Sequence, residues 1–348
     1  MIKKQMPFVG IIFFVISVLA LCAYVIEEQQ AAKAAAAYEA ERHLVVVSDL
    51  PDAVNRDLAA AFYEETKLRI QIRTESDDTI RRLLKDPNER IPDFVIASEE
   101  TLYSEDGLQH LKASSSERAA AVPERFKAAD GNWTGLWFDP LVFVVSRDYY
   151  ARRGREINYW DDLLTDPQVV VAFPDLAATD LTGNFLFHFV SLRGQDNASL
   201  YFKTLQNHIG AYSTSLSPII LRVAGNDAQI GITDGAAARQ YRNDGAPIYI
   251  LYPQDGTAYW LTGAALTQWC ADDELATAFM DWLLSSPVDG ILQKNHLYLN
   301  YTTDALPAHV DSRGHSPVFF DMAQVVTEKE RRQVQDWWIK TIRFGKGM

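Results

Sequence analysis

Cysteines and blocks of basic residues are scarce in this sequence. Its 348 residues include two cysteines, Cys22 and Cys270, and no run of lysine and arginine is longer than two residues. Because Cys22 lies in an apolar segment far from Cys270, we expect the folded part to be stable without a disulfide and without a cysteine-based zinc site. The formal net charge of -13, with no basic stripe, argues against nucleic-acid binding.

Motifs of the common enzyme classes are also missing. The sequence has no serine in a nucleophile elbow, no phosphate loop ending in Gly-Lys-Ser/Thr and no His-Glu-x-x-His pair. The seven histidines lack metal-ligand spacing, and His188 falls in a helical pattern where packing is the simpler interpretation. Paired carboxylates such as Asp161-Asp162 fit the charged first turn of a helix. We therefore predict that the protein is not an enzyme and needs no cofactor.

One long apolar run is present, at residues 7–26, PFVGIIFFVISVLALCAYVI. Its length of about 20 residues is enough for a helix to cross the hydrocarbon core of a bilayer. Lys3 and Lys4 precede it, and basic residues favour the cytoplasmic side. Everything from Glu27 onward is therefore expected outside the cytoplasmic membrane, in the periplasm or on its outer face.

The fate of this run has three interpretations. It is a retained signal anchor, a signal peptide cleaved after Cys22 or Ala23, or a lipoprotein signal at Cys22, although Leu21 is large for the last. Residues 27–42 are rich in Ala, Glu, Gln and Lys, which are helix formers, and predict a helical stalk.

Short buried strands alternate with helices over the rest of the chain. LVVV at 44–47 and FVIA at 94–97 are continuous apolar runs, typical of strands buried on both faces. Further strands are predicted at 141–145, 169–173, 228–233, 248–252 and 259–266, and the last helices at 273–284, near 287 and at 327–342. This order predicts an α/β protein with open sheets flanked by helices.

Short polar side chains follow four of these strands, and a fifth polar turn contains Ser215. The strand-end residues are Ser48, Asp49, Ser98, Thr179 to Gly183, Thr233 and Asp234. Ligands of open α/β sheets bind beyond the carboxyl ends of strands, so these are candidate binding residues. Ser, Thr and Asp are also preferred N-caps, so each one alone has a purely structural interpretation.

The turn ATDLTGN at 178–184 is the strongest single element. A helix that starts in hydroxyl residues and glycine presents free N–H donors and the positive end of its dipole, which suits a phosphate, a phosphonate or a carboxylate. Gly183 would let the backbone approach such an anion closely. A plain N-cap by Thr179 or Thr182 is the alternative.

The order of these elements resembles the bacterial extracellular solute-binding proteins of ABC importers, in the class of ferric-iron, phosphonate and sugar-phosphate binders. The stretches that carry the resemblance are LVVVSDL, LAAAFYEETKLRIQIR, DFVIAS, GLWFDPLVFVVSRD, VVVAFPDLAATDLTGNF, LRVAGNDAQIGITDG and LTGAALTQWCADDELATAFMDWLLSSPVDGIL. They cover about residues 43–303, and their order and spacing, more than any single motif, are specific.

The resemblance implies a two-lobe, type II periplasmic-binding-protein-like fold, with an open mixed sheet flanked by helices in each lobe and an N-terminal apolar helix at 1–26. The first lobe would contain residues 43–138 and 253–348, and the second lobe residues 139–252. The chain would cross near 138–142 and 251–256, and these crossings would be the hinge that closes the lobes on a ligand.

By position in that fold, the ligand-binding residues would lie at the strand ends and crossings, with two aromatic residues as a wall of the cleft. They are Ser48, Asp49, Ser98, Asp139, Thr179, Thr182, Gly183, Ser215, Thr233 and Asp234, and the aromatic pair Tyr259 and Trp260. The resemblance implies a small-molecule ligand and the membrane subunits of an ABC importer as partners, and contact with the membrane through residues 7–26.

The ligand class follows from one departure from the family. Its ferric binders carry an adjacent tyrosine pair after the strand that matches QIGIT, where this chain has Asp234-Gly235-Ala236-Ala237. Ligation of iron(III) by tyrosine is thus unsupported, and the hydroxyl-rich turn at 179–183 fits an anion better. We therefore expect an organophosphate, a phosphonate or another small anion, and no metal site. The acidic cleft residues and the aromatic pair favour a cationic ligand as the alternative, with iron(III) behind it. A membrane-tethered sensor that reports to a partner kinase or transporter is the alternative to a carrier.

Overall fold

The computed structural model describes residues 24–25, 28–30, 42–85, 92–153, 156–303, 306, 309–321 and 325–345. Within these residues, no helix is both long enough and apolar enough to cross a membrane. The predicted apolar helix at 7–26 lies almost wholly outside the described residues, as does most of the predicted stalk, so both stay predictions.

Strands and helices alternate from the start of the folded part, as the apolar runs predict. The elements up to the longest strand are β1 (His43–Ser48), α1 (Asp52–Thr66), β2 (Arg69–Thr74), α2 (Asp77–Lys85), β3 (Phe94–Ser98), α3 (Glu99–Leu102), α4 (Glu105–His110), β4 (Leu111–Lys112), α5 (Glu117–Ala120), a 3-10 turn (Glu124–Phe126) and β5 (Thr134–Ser146).

The next group of elements repeats the alternation. It contains α6 (Arg147–Arg153), a 3-10 turn (Trp160–Leu164), β6 (Val171–Pro174), α7 (Asp180–Arg193), α8 (Gln195–Leu205), β7 (Ile209–Ser213), α9 (Ser217–Ala224), β8 (Ile230–Asp234), α10 (Gly235–Asn243) and β9 (Ile248–Leu251).

The remaining elements are mostly helical. They are β10 (Tyr259–Thr267), α11 (Asp273–Leu283), α12 (Ser286–Lys294), β11 (Asn300–Tyr301), α13 (Glu328–Trp338) and a π-helical turn (Ile339–Arg343).

The strands form one mixed sheet in the order β2-β1-β3-β10-β5-β8-β6-β7. β1 is parallel to β2 and β3, and β6 is parallel to β7 and β8, whereas β10 runs antiparallel to both β3 and β5. The first part of β5 pairs with β10, and its last part pairs with β8 and β9. A single 13-residue strand therefore belongs to both halves of the sheet.

Buried apolar side chains form separate clusters on either side of this shared strand. The first lobe, as we use the term below, is built on the cluster that includes Phe94, Trp137 and Phe279. The second lobe is built on the clusters that include Phe143 and Ile219. Along β5 the core clusters change between Phe138 and Leu141, and the predicted crossing near 138–142 and the lobe boundaries stay predictions.

The predicted boundaries place all residues after β11 in the first lobe, but several of them pack against the second lobe. Trp338 is fully buried in the core of the second lobe, and Ile342 lies in the same cluster. Phe320 also belongs to that cluster, whereas its neighbour Phe319 packs against the core of the first lobe. Assigning all of residues 253–348 to the first lobe was wrong, because the C-terminal aromatic side chains fill space that the second lobe leaves open.

Candidate functional site

The carboxyl ends of β1 and β3 form a polar edge of the first lobe. Ser48 and Ser98 are buried there, and Asp49 is half-buried. The Asp49 carboxylate accepts a hydrogen bond from the Ser98 backbone N–H at 3.0 Å. The Ser98 hydroxyl accepts from the Thr101 N–H at 3.3 Å and so caps α3. Three predicted residues are therefore neighbours, and Ser98 also has the structural role of an N-cap.

A second carboxylate, Asp77 at the start of α2, joins this edge. The Ser98 hydroxyl donates to Asp77 Oδ2 at 3.2 Å. Burial, and after it repulsion from Asp77, raises the pKa of Asp49 to about 7. Asp49 is therefore only partly ionised near neutral pH, and the edge carries less negative charge than its two carboxyl groups suggest.

Asp139 and Asp234 meet where the shared strand β5 passes the start of α10. Asp139 Oδ1 accepts from the Ala236 N–H at 2.9 Å, and Asp234 caps the same helix through the Ala237 N–H at 2.7 Å. Burial, and after it the charge of Asp234, raises the pKa of Asp139 well above its usual value, although Arg239 opposes this shift. Two predicted residues thus form one acidic pair at the crossing.

Arg239, which the sequence analysis missed, lies behind that pair. Its side chain is buried, and Nη2 donates to the Tyr252 hydroxyl at 3.2 Å. Among the described residues, its Nη1 has no hydrogen-bond partner. Arg239 is the fifth residue of the helix GAAARQYRN, and an arginine there is usually exposed to solvent, so only the tertiary structure reveals its burial.

Tyr259 and Trp260 do not form one aromatic wall. They are consecutive residues of β10, facing Pro140 and Asp139 across the strand pair, and successive side chains of a strand point to opposite faces. The Tyr259 ring lies among Phe126, Phe138 and Phe319 in the first lobe. The half-buried Trp260 packs against the second lobe instead.

Glu99 is a second residue that the sequence analysis missed. It follows the capping Ser98 and is half-buried. Burial raises its pKa to about 8, so at neutral pH this carboxyl group is mostly protonated and can donate a hydrogen bond. Tyr259 lies close enough to interact with Glu99: burial is the main cause that raises the pKa of Tyr259, and the ionised form of Glu99 is the second. The Glu-Glu pair that follows FVIAS was the available signal.

The turn that begins α7 has the structure of an N-cap. The Thr179 hydroxyl accepts from the Thr182 N–H at 3.3 Å and lies 2.9 Å from the Thr182 hydroxyl. Thr182 is fully buried and donates to the Thr179 carbonyl at 3.0 Å. The Gly183 N–H also donates to that carbonyl, at 3.0 Å. The capping interpretation is thus realised, and fewer donors face outward than the free-donor interpretation expects.

A buried arginine of α13 lies against this turn. Arg331 Nε is 3.0 Å from Asp180 Oδ1 of α7, and its Nη1 is 2.7 Å from Glu100 Oε2 of α3. Its aliphatic stem packs on Gly183, where an added Cβ would lie 2.6 Å from Arg331 Cγ. The guanidinium therefore joins the helix that follows β3 in the first lobe to the helix that follows β6 in the second. The sequence analysis missed this residue, because ERRQ on an amphipathic helix is typical of a solvated face.

The two remaining predicted residues differ in position. Thr233 is fully buried and donates to the Leu216 carbonyl at 3.3 Å. Ser215 is exposed, and its carbonyl accepts from the Ser213 hydroxyl at 2.6 Å. Neither contact reaches the polar edge of the first lobe.

A metal centre finds no support in the described part of the chain, where no three His, Cys, Asp or Glu side chains cluster in a way that could hold an ion. The turn Asp234-Gly235-Ala236-Ala237 forms the cap and first turn of α10 and contains no tyrosine.

Residues 43–297 match the family model described as "Bacterial extracellular solute-binding protein". The chain belongs to this family. It is also 25% identical over 239 residues to an uncharacterized protein of Haemophilus influenzae, a match that covers 65% of this chain and 68% of that protein.

Solved structures show the same fold for this solute-binding protein. The periplasmic binding protein AfuA of Actinobacillus pleuropneumoniae, solved with fructose-6-phosphate, superposes with a TM-score of 0.63 at 18% identity, over 88% of this chain and all of that one. Iron-bound HitA of Pseudomonas aeruginosa superposes with a TM-score of 0.63 at 15% identity, over 88% of this chain and all of HitA. The chain therefore has the α/β periplasmic-binding-protein fold, a mixed sheet with flanking helices.

Membership of the solute-binding family indicates the general function of the protein. Solute-binding proteins bind small ligands and deliver them to ABC transporters, and they are transport proteins, not enzymes. The family description places such proteins outside the cytoplasm.

Proposed function

We propose that this protein captures a small phosphorylated or phosphonate ligand between its two lobes, outside the cytoplasmic membrane, and delivers it to an ABC importer. The ligand would lie between the Asp49–Ser98 edge of the first lobe and the start of α7 in the second lobe. Residues 7–26 would bring the protein to the membrane, as a retained anchor or as a leader.

The observation that carries the proposal is the meeting of Arg331 with the N-terminus of α7 between the lobes. The positive end of a helix dipole favours a phosphate, and the start of α7 lies opposite α3 across the proposed cleft. The Arg331 guanidinium beside it is already paired with Asp180 and Glu100 and would exchange a carboxylate for the ligand. AfuA, which has the same fold, was solved with a sugar phosphate, and this supports the same ligand class here.

The acidic residues of the cleft do not contradict an anionic ligand. Burial raises the pKa of Glu99 to about 8, so this carboxyl group is mostly neutral at pH 7, and burial also raises the pKa of Asp139 well above its usual range. A neutral carboxyl group does not repel a phosphate, and its O–H can donate to a phosphoryl oxygen or a sugar hydroxyl.

A cationic ligand is the second candidate, favoured by one observation. Trp260 lies directly across the strand pair from Asp139, which places an aromatic ring and a carboxyl group side by side. An iron(III) ligand has no such support, because the tyrosine pair of the ferric binders is missing. The same closure in a tethered protein would also suit a sensor that acts through a partner.

A thermal-shift screen tests the proposal. The full-length protein would be heated with fructose 6-phosphate, 2-aminoethylphosphonate, putrescine or ferric citrate. A ligand present at 100 times its Kd stabilises the folded state by about 2.7 kcal/mol, which is a clear rise in melting temperature. We expect the phosphate or the phosphonate to produce it. A rise with putrescine alone would establish the cationic candidate, and no rise with any of the four would contradict the ligand classes proposed.

Two variants locate the site. Thr179→Ala removes the hydroxyl at the start of α7 and should lower the affinity for the phosphorylated ligand. Ser116→Ala is the matched control, because it removes the N-cap of α5 in the first lobe, away from the cleft. Both variants should lose stability, but only the first should lose affinity. Equal affinities would place the ligand elsewhere.

A further inference from the structure

We propose that Arg331 and Glu100 form a latch that holds the two lobes together across the cleft. Arg331 is buried, with its side chain 6% exposed, and that of Glu100 is 17% exposed. Their atoms Nη1 and Oε2 are 2.7 Å apart, which is the distance of a charge-assisted hydrogen bond. The partners come from opposite lobes, because Glu100 follows β3 and Arg331 lies on α13.

The helix that carries Arg331 is fixed to the second lobe. Trp338 fills part of that core, and its indole N–H donates to Asp175 Oδ1 at 3.3 Å. Gln335 Nε2 donates to the Leu176 carbonyl at 3.4 Å. When the lobes separate about their crossings, α13 therefore moves with the second lobe, and the bond to Glu100 has to break.

The start of α13 and the first lobe face each other across a cavity. A cavity of about 310 Å³ separates α3 and its neighbours from the start of α13. It is lined on one side by Arg81, Glu100, Tyr103 and Ser104, and on the other by residues 325–329. Val325, just before α13, packs against the core of the first lobe, and the Arg331–Glu100 pair is the ion pair that joins α13 itself to that lobe.

Glu100 is the side of the latch that can be removed cleanly. Asp180 still neutralises Arg331 when Glu100 is changed, since its Oδ1 is 3.0 Å from Arg331 Nε. The Glu100→Gln variant therefore leaves no unpaired buried charge, and we expect it to fold. Arg331→Met keeps the packing on Gly183 but removes both ion pairs.

Spin labels measure the separation of the lobes directly. Nitroxides would be attached at Glu64 on α1 and Leu200 on α8, both exposed, in full-length protein in detergent with Cys22 and Cys270 replaced by serine. The parent should show one dominant distance, that of the structure. Glu100→Gln and Arg331→Met should each raise the population at longer distances about fivefold or more.

Arg332→Met is the matched control. Arg332 is the next residue of α13, but it is exposed and pairs with Glu328 on its own helix. The distribution of spin-label distances in Arg332→Met should equal that of the parent. The latch is refuted if Glu100→Gln leaves the distribution unchanged, or if Arg332→Met shifts it as much as Arg331→Met does. The latch rests on the two-lobe closure of the proposed function, but its test contains no ligand, so it can fail or succeed independently of the ligand screen.

Discussion

Phe319 and Phe320 are consecutive residues whose rings pack against the cores of different lobes. Thr257, two residues before β10, holds the backbone around them by two hydrogen bonds. Its N–H donates to the Val318 carbonyl at 3.0 Å, and its carbonyl accepts from the Phe320 N–H at 3.1 Å. The chain thus passes between the lobes a third time, beside the two predicted crossings. If the lobes close about these crossings as we propose, three connections would restrict the bending more than two.

Gly256 is the position where this third crossing is most sensitive. Its backbone φ of +105° is rarely adopted by residues other than glycine. An added Cβ would also lie 2.6 Å from Phe320 Cδ1. We expect Gly256→Ala to lower the free energy of unfolding by at least about 1–2 kcal/mol, as measured by urea denaturation. Gly245→Ala, which also has a positive φ but no atom within 4 Å, separates backbone strain from the clash. Equal losses in the two variants would show that Phe320 plays no part.

Gly183 and Gly290 form a matched pair of helical glycines. An alanine Cβ at Gly183 would meet Arg331 Cγ and Gln335 Nε2 at 2.6 Å, whereas nothing lies within 4 Å at Gly290. We expect Gly183→Ala to destabilise the fold by about 1–3 kcal/mol, because it pushes α13 away from α7. Gly290→Ala should stabilise α12 by up to about 1 kcal/mol. Thermal unfolding of the two variants checks both signs, and stabilisation by Gly183→Ala would mean that α13 does not pack there.

Glu99 should make anion binding depend on pH. Its pKa of about 8 means that it is mostly neutral at pH 7 and ionised at pH 9. The affinity for the phosphorylated ligand found in the screen should therefore fall about 3- to 10-fold between pH 7 and pH 9 by isothermal titration. Glu99→Gln should reduce this fall, the remainder coming from Asp49 with its pKa of about 7, and Glu105→Gln, at an exposed position on α4, should leave the fall intact. A fall in Glu99→Gln as large as that in the parent would show that Glu99 does not contribute.

His188 should weaken the fold in mild acid. It is buried on α7, its Nε2 has no hydrogen-bond partner among the described residues, and burial lowers its pKa to about 4. The unfolded chain takes up a proton near pH 6.5, but the folded chain does so only near pH 4, so stability is lost as the pH falls through this window. The loss from His188 is at most about 3 kcal/mol.

His188→Leu should remove that share of the pH dependence in denaturation curves between pH 7 and pH 4.5. The dependence that remains includes His309, whose pKa is lowered to about 4 mainly by burial. His43→Gln, at an exposed position, is the control. An unchanged slope in His188→Leu would show that this histidine is already protonated in the folded state.

The sequence predicted the elements well where the apolar pattern is strong, as in β1, β3, β6 and α11. It missed the first half of β5, because Pro140 reads as the end of a strand; here the proline faces Tyr259 in an antiparallel pair. It predicted a turn over residues 178–184, whereas α7 begins at Asp180, and Gly183 lies inside its first turn and makes room for Arg331.

The cleft was predictable in part for the same reason. Strand ends follow from the pattern, so Asp49 with Ser98, and Asp139 with Asp234, are neighbours as the fold implies. The positions of Glu99, Arg239 and Arg331 depend on which helix faces which lobe, and local sequence carries no such information. Whether a charged side chain is buried depends on partners that lie far away along the chain; Glu100, for example, is the partner of the buried Arg331.

Trp338 and Ile342 have a consequence for the order of folding. The second lobe assembles around strands made of residues 134–251, yet its core is closed by side chains that leave the ribosome much later. Until they arrive, Phe173 and Phe202 lack the indole that they pack against, with ring centroids 6.5 and 5.1 Å away. The family match ends at residue 297, so a fragment that ends there would contain the whole matched region but would lack Trp338 and Ile342, which complete the core of the second lobe.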